Sequence, residues 1–379
     1  SIIISTIASI LAITLLLPKN GQPQINLLPY SAGWVIAVDI FKNLRTALIG
    51  TGPESFVNVF ALLKPSSINL SPIWNLRFSN SSNEYLQILT TVGLLGLLSY
   101  LYGFLKTIHL ALKQKSSTSP FFSASLIILI VSLLIQLFIP ASLPLTTLTF
   151  IALSLVTIGL KNAPSHPLND AVISFFAAEI IKTKTDRSSR HSKNTEVLPW
   201  IILIISLSII FPTFYFKTRA YLAEITFYSS LKAAAANKGT DTYNLQIKAI
   251  NLMPNDPRYR VSYSQTNLAL ANALASQPNP SDGDRSNITQ LIQQAIREAK
   301  AATTLDPHSP IAWQNLANVY RQLINVAQGA DQWTIAAYTK ALTLDPLNPQ
   351  LRLELGGVYY SLKNYDQAIR LFIQTTEAK

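Results

Sequence analysis

The chain has no cysteine, a single methionine and only 13% charged residues among 379. Lacking cysteine, it has no disulfide framework, no zinc ribbon and no thiol nucleophile. Its four histidines, 109, 166, 191 and 308, are far apart and show neither HxxxH nor HExxH spacing, so no metal site is expected. Acidic side chains are scarcer still: none occurs from Tyr85 to Asn169. A water-exposed fold would not carry such a stretch, because ordinary globular chains are roughly a quarter charged. The net charge of +11 is spread over short segments between apolar runs. Nucleic-acid binders instead cluster cations on one face among stacking aromatics, so no nucleic-acid partner is expected.

Charge divides the chain into unlike parts. Residues 1–216 hold 14 Lys/Arg and 7 Asp/Glu, and 217–379 hold 16 and 12. The first part contains apolar runs at about 86–105, 121–139, 142–160 and 198–216, each long enough to cross about 30 Å of hydrocarbon at 1.5 Å per residue. A fifth run, about 1–17, opens on Ser1 rather than Met, has no charged n-region before it and no A-x-A site after it. It reads as a span of a longer chain with further spans upstream. Segment 106–120 carries Lys106, Lys113 and Lys115, and linker 161–197 carries six Lys/Arg. The positive-inside rule makes both cytoplasmic. Residues 18–84 and everything after 216 then lie outside a multi-pass cytoplasmic membrane, with membrane lipid as a partner.

Residues 217–379 are expected to form stacked helical pairs. P-x-x-P punctuation recurs at 254–257, 307–310 and 346–349, and Pro307 and Pro346 are 39 apart. That is the tetratricopeptide period of 34 plus five. The last unit places Leu355, Gly356 and Tyr359 on a first helix and Tyr365, Ala368 and Phe372 on a second. The unit before it matches at Trp313, Leu316, Ala317, Tyr320, Tyr338 and Ala341. Earlier units are looser: 218–254 reads as two helices, and 258–305 as two helices split by a polar insert at 276–287. The fold class is all-α, polytopic transmembrane helices followed by a tetratricopeptide-repeat solenoid. Such arrays present a concave face to a protein partner or simply brace the membrane domain.

Residues 18–84 are too long for a plain connector. They hold a helical stretch from about Trp34 to Leu48, then IGTGPESF at 49–56, then IWNLRFSNSSNEYLQ at 73–87. Trp34, Gly50, Gly52, Pro53, Phe56, Asn83, Tyr85, Leu86, Gln87, Gly93, Leu94, Gly96 and Leu97 form a pattern that resembles the core of the O-antigen ligase/polymerase superfamily of integral-membrane glycosyltransferases. The resemblance covers about 30–105. It implies transfer or polymerisation of a polyprenyl-diphosphate-linked glycan onto a glycan or protein acceptor at the outer membrane face, without metal or cofactor. In that family loop arginines hold the diphosphate and a histidine activates the acceptor. Here the family arginine position falls on Tyr30 and the histidine position on Ser82.

Chemistry suggests substitutes. The leaving diphosphate needs cations in a low-dielectric site, and the acceptor hydroxyl needs a base within reach. Arg77, with its bidentate fork, is assigned to the diphosphate and Glu84, two residues from the vacated histidine position, to the base. Arg45, Lys42, Trp34 and Asn83 are assigned to substrate binding, and Gly50, Gly52, Pro53 and Phe56 to the structural motif. Plainer readings stand beside these: surface arginines are commonly solvated, Glu84 and Asn83 suit a helix N-terminus, and Gly50, Gly52 and Pro53 make a turn. The rival function is a non-catalytic membrane-anchored scaffold for envelope assembly. A transporter is disfavoured, since no ionisable residue lies well inside the four longer spans.

Overall fold

The computed structural model describes residues 26–114, 120–161 and 197–377, and among them every regular element is helical. The N-terminal 1–17 run and nearly all of linker 161–197 lie outside the described residues. The chain divides into two compact units, Ser1–Pro167 and Leu168–Lys379. Sequence composition draws this boundary at 216 instead. That position falls inside one helix of 39 residues, because nothing after Phe216 breaks helical periodicity.

The first unit begins with α1 (Tyr30–Ile40), α2 (Leu44–Ile49) and α3 (Phe56–Leu63). The single helix expected from Trp34 to Leu48 is therefore two. Asn43 ends the first, because its side-chain carbonyl accepts the Arg45 N–H at 2.9 Å as the cap of the second. Ile36, Phe56, Phe60 and Phe78 fill a small core, with Phe60 and Phe78 edge to face at 5.3 Å.

The run read as one span over 86–105 is also two helices, α4 (Glu84–Thr91) and α5 (Gly93–Lys113). The break is a joint between two glycine motifs. Gly50 and Gly93 have φ of +71° and +80°, a region open to glycine. A Cβ on Gly93 would sit 2.4 Å from the Gly50 nitrogen, and one on Gly50 would sit 2.3 Å from the Thr91 carbonyl carbon. The N–H groups of Thr51 and Gly52 donate to the Thr90 and Thr91 carbonyls at 3.1 and 2.9 Å. They thereby satisfy acceptors that the end of α4 leaves open.

α5 is followed by α6 (Pro120–Ile135) and α7 (Leu143–Lys161). By length and composition, α5 and α7 are the two described helices able to cross a membrane, with mean hydropathies of 1.3 and 1.9, and α6 is shorter. Gln136, fully buried, ties the three together. It accepts from the Tyr100 hydroxyl at 2.6 Å and donates to Thr149 Oγ1 at 3.0 Å. Gly159 lies against the Phe122 ring, so α6 and α7 approach closely there.

The second unit is a stack of helical pairs: α8 (Val197–Ala235) with α9 (Gly239–Leu252), α10 (Pro257–Ala275) with α11 (Asp282–Leu305), α12 (Pro310–Arg321) with α13 (Ala330–Leu344), and α14 (Pro349–Ser361) with α15 (Tyr365–Glu377). The insert expected over 276–287 is shorter, because Ser281 and Asp284 form a reciprocal capping box that starts α11 inside it. Small residues at helix crossings, Ala295, Ala299, Ala317 and Ala341, are fully buried among Leu316, Tyr320, Tyr338, Leu351 and Leu355.

The P-x-x-P punctuation carries a further device. Six residues after the first proline, a side-chain donor reaches back to that proline's carbonyl. Arg260 bonds Pro254, Trp313 Nε1 bonds Pro307 at 3.0 Å, and Arg352 bonds Pro346. Each bond pins the turn between pairs to the helix that follows. Replacing Arg352 with Met, which keeps the stem but not the donor, should lower stability by about 1.5–3 kcal/mol, the range for hydrogen bonds to charged groups. Trp313→Phe should cost about 1 kcal/mol as a neutral bond. Urea-induced loss of helical circular dichroism reads both, and equal losses would contradict the assignment.

Candidate functional site

The site assigned from sequence centres on the residues leading into α4, and the structure gives most of them a binding partner within the fold. Asn83 is the N-cap of α4, accepting the Leu86 N–H at 2.8 Å. It is also the first of three donors to the C-terminal end of α6. Asn83 Nδ2 reaches the Leu137 carbonyl at 2.9 Å, the Glu84 N–H reaches the Gln136 carbonyl at 3.2 Å, and the Tyr85 hydroxyl reaches the Leu133 carbonyl at 3.0 Å. A helix end leaves four carbonyls unsatisfied, and away from water each would cost several kcal/mol. The Asn-Glu-Tyr segment thus clips α4 onto α6. Gln87 completes the motif by accepting the Ser81 N–H at 2.7 Å.

Ser82, at the family histidine position, is buried. Its hydroxyl donates to the Pro29 carbonyl at 2.9 Å, and it packs so tightly on Gly33 that a Cβ there would lie 2.2 Å from Ser82 Oγ. An imidazole could not occupy this space without separating α1 from the segment before α4. Trp34, next to Gly33, points outward and is 53% exposed, as is Tyr30 at 60%.

Glu84 Oε2 accepts the Ala141 N–H at 2.9 Å. Burial pushes its carboxyl up from the ordinary 4.5, and the Ala141 bond opposes that rise. Arg77 is exposed and lines an open depression of about 370 Å³ with Asn26, Ser79, Asn80, Ser81 and Pro140. The Ser81 hydroxyl is buried without a hydrogen-bond partner among the described residues. Arg77 and Glu84 therefore flank the same Pro140–Ala141 turn. The other assigned cations do not line this depression: Lys42 pairs with Asp39 at 2.7 Å on the surface, and Arg45 is exposed on α2.

The glycine motif holds its shape through hydroxyls. Thr51 Oγ1 and Ser55 Oγ share a 2.6 Å hydrogen bond, and Ser55 also bonds the Gly52 carbonyl. Phe56 is fully buried at the start of α3, and Pro53 is exposed. Sequence reasoning passed over two residues. Gln136 joins three helices, and Lys64 is the one buried cation among the described residues of the loop, at 6% exposure. Lys64 follows an apolar helical run directly, a position where a cation meets helix C-terminal carbonyls, and that was its signal.

The comparisons bear on the second unit. The tetratricopeptide-repeat family model matches residues 327–379. The chain therefore carries tetratricopeptide repeats in an all-helical fold. Similar solved structures include MamA (17% identity, 41% of this chain and 77% of that one, TM-score 0.33) and a thermophilic tetratricopeptide protein in Thermus thermophilus (18%, 41% and 74%, 0.34). The Arabidopsis OM64 tetratricopeptide domain is another (15%, 38% and 98%, 0.30). No curated protein matches the chain.

Proposed function

We propose that the chain is an integral-membrane protein of the O-antigen ligase/polymerase type, acting on polyprenyl-diphosphate-linked glycan at the outer face of the cytoplasmic membrane. Its repeats, on the same side, hold a protein partner. One observation supports this reading: the motif residues named by the resemblance, separated in sequence, gather at the two ends of α4. Gly50 meets Gly93, Asn83 and Tyr85 clip α6, and Arg77 and Glu84 flank the Pro140–Ala141 turn beside it. The apolar surfaces of α5 and α7 support membrane insertion, since Leu95, Leu98, Leu105, Phe150, Ile151 and Ile158 are exposed. In water such surfaces would be buried against protein.

In this reading Arg77 holds the diphosphate and Glu84 takes the acceptor proton. Glu84→Gln should lower transfer by about 10²–10⁴-fold, and Arg77→Ala by about 10²–10³-fold. Both are measured with purified full-length protein and polyprenyl-linked glycan in proteoliposomes. A base must be unprotonated to act, so the rising limb of the pH–rate profile should lie above the ordinary carboxylate value of 4.5. Wild-type rates in both variants would remove these assignments.

Ser82 favours the second reading, a membrane-anchored repeat scaffold without transfer activity, because it fills the family base position with a buried, bonded hydroxyl. A wild-type protein that transfers no glycan while its repeats hold a defined partner would establish it.

A further inference from the structure

Gln136 is fully buried one residue past the end of α6. A buried amide costs free energy unless its hydrogen bonds are made, and a leucine would fill much the same space. Both ends of this amide are engaged. The Tyr100 hydroxyl of α5 donates to Oε1 at 2.6 Å, and Nε2 donates to Thr149 Oγ1 of α7 at 3.0 Å. Thr149 gives its own proton to the Leu145 carbonyl at 2.8 Å, so it accepts from Gln136, and this fixes which end of the amide faces which helix.

The bond from Gln136 to Thr149 also closes the turn between α6 and α7 from inside. Residues 137–142 run between two fastened points, and within them Ala141 donates its N–H to Glu84 Oε2 at 2.9 Å. The Gln136 carbonyl accepts the Glu84 N–H at 3.2 Å, so the same residue holds the Glu84 backbone as well. Among the described residues no cation pairs with Glu84, and its Oε1 makes no hydrogen bond. The Ala141 N–H is thus the polar contact that orients this carboxylate.

We propose that Gln136 is a positioning residue for Glu84: by fastening the end of α6 to α5 and α7, it sets the Ala141 N–H against Oε2 and leaves Oε1 for the acceptor proton. This rests on the reading of Glu84 as the base. Gln136 itself is buried away from any substrate and acts through the turn.

Two variants test it in purified full-length protein in proteoliposomes. Gln136→Leu keeps the bulk and removes both side-chain bonds. Thr149→Val keeps the shape of Thr149 and removes one of them, and it carries the measurement if Gln136→Leu does not assemble. Gln136→Leu should lower kcat for transfer from polyprenyl-linked glycan by about 10–10²-fold, the cost of a misplaced catalytic group. KM should stay within about twofold, because a buried Gln136 meets no substrate. Added to Glu84→Gln, the same change should slow transfer no further, since the group it positions is gone. Hydrogen exchange reads the arrangement without activity: the Ala141 amide should exchange at least about tenfold faster in Gln136→Leu and Thr149→Val, with the amides of α5 and α7 unchanged. Thr147→Val, which removes an exposed hydroxyl bonded within α7, should alter neither readout. Wild-type Ala141 exchange in both variants would overturn the proposal, as would equal slowing of transfer with and without the Glu84 carboxylate. A wild-type protein that transfers nothing would remove Glu84 as the base, and Ala141 exchange would still decide whether Gln136 orients its carboxylate.

Discussion

Replacing Gly93 with valine should unfold the first unit or lower its melting temperature steeply, with a loss of about 3–5 kcal/mol. Two separate costs add. A β-branched residue at φ +80° is in a region worth about 1–3 kcal/mol of strain. Its Cβ would also lie 2.4–2.6 Å from backbone atoms of Gly50 and Leu48, and backbone cannot rotate aside as a side chain can. Relief would require the 49–52 segment to withdraw, breaking its two bonds to the end of α4. Gly50→Val should behave alike, because its Cβ meets the Thr91–Val92 peptide. Gly52→Ala is the internal control. It has φ +110° but nothing within 4 Å, so only conformational strain remains. Thermal unfolding in detergent, followed by size-exclusion profile, separates the three. A Gly93→Val protein that melts like Gly52→Ala would show that the joint does not hold the unit together.

Tyr338→Ala should destabilise the repeats by about 3–5 kcal/mol, while Tyr365→Ala should cost less than about 1 kcal/mol. Both tyrosines lie on the second helix of a repeat, Tyr338 in the middle of α13 and Tyr365 at the first residue of α15. Tyr338 is fully buried and its hydroxyl donates to Asn318 Oδ1. Tyr365 is 51% exposed, with one edge contact to Tyr360 at 5.5 Å. The difference is placement: Tyr338 lies in the core cluster with Leu351 and Leu355 of α14, whereas Tyr365 opens its helix outside that cluster. Chemical denaturation of both variants reads the contrast directly. Equal losses would mean that α15 is covered in solution.

Much of the repeat unit was legible because its signals are local. Proline at 257, 310 and 349 starts a helix wherever the preceding residue caps it, and Asp256, Ser309 and Asn348 do so here. Small residues at 317, 341, 356 and 368 mark crossings in any stack of this period. Local signals failed where a residue served a distant partner. Gly93 sits within an apolar, helix-compatible run, and it breaks the helix because the backbone of Leu48 and Gly50 packs against it. Glu84 offered two readings from sequence, base or helix terminus. Its carboxylate holds the Ala141 N–H, 57 residues away, and no spacing rule could have paired them.

By itself, the sequence determined the all-helical class, the repeat register, the acid-free stretch from Tyr85 to Asn169 and the residues that form the motif. These follow from composition and short-range periodicity, which act through backbone propensity and the burial of one helix face. Only the tertiary structure decided how the motif residues are used. It turned Gly50 and Gly93 into a backbone joint, committed Asn83 and Tyr85 to the open carbonyls of α6, and closed the Ser82 position against Gly33. The physical reason is common to all three. A buried polar group or a missing Cβ takes its meaning from the atom facing it, and that atom comes from elsewhere in the chain.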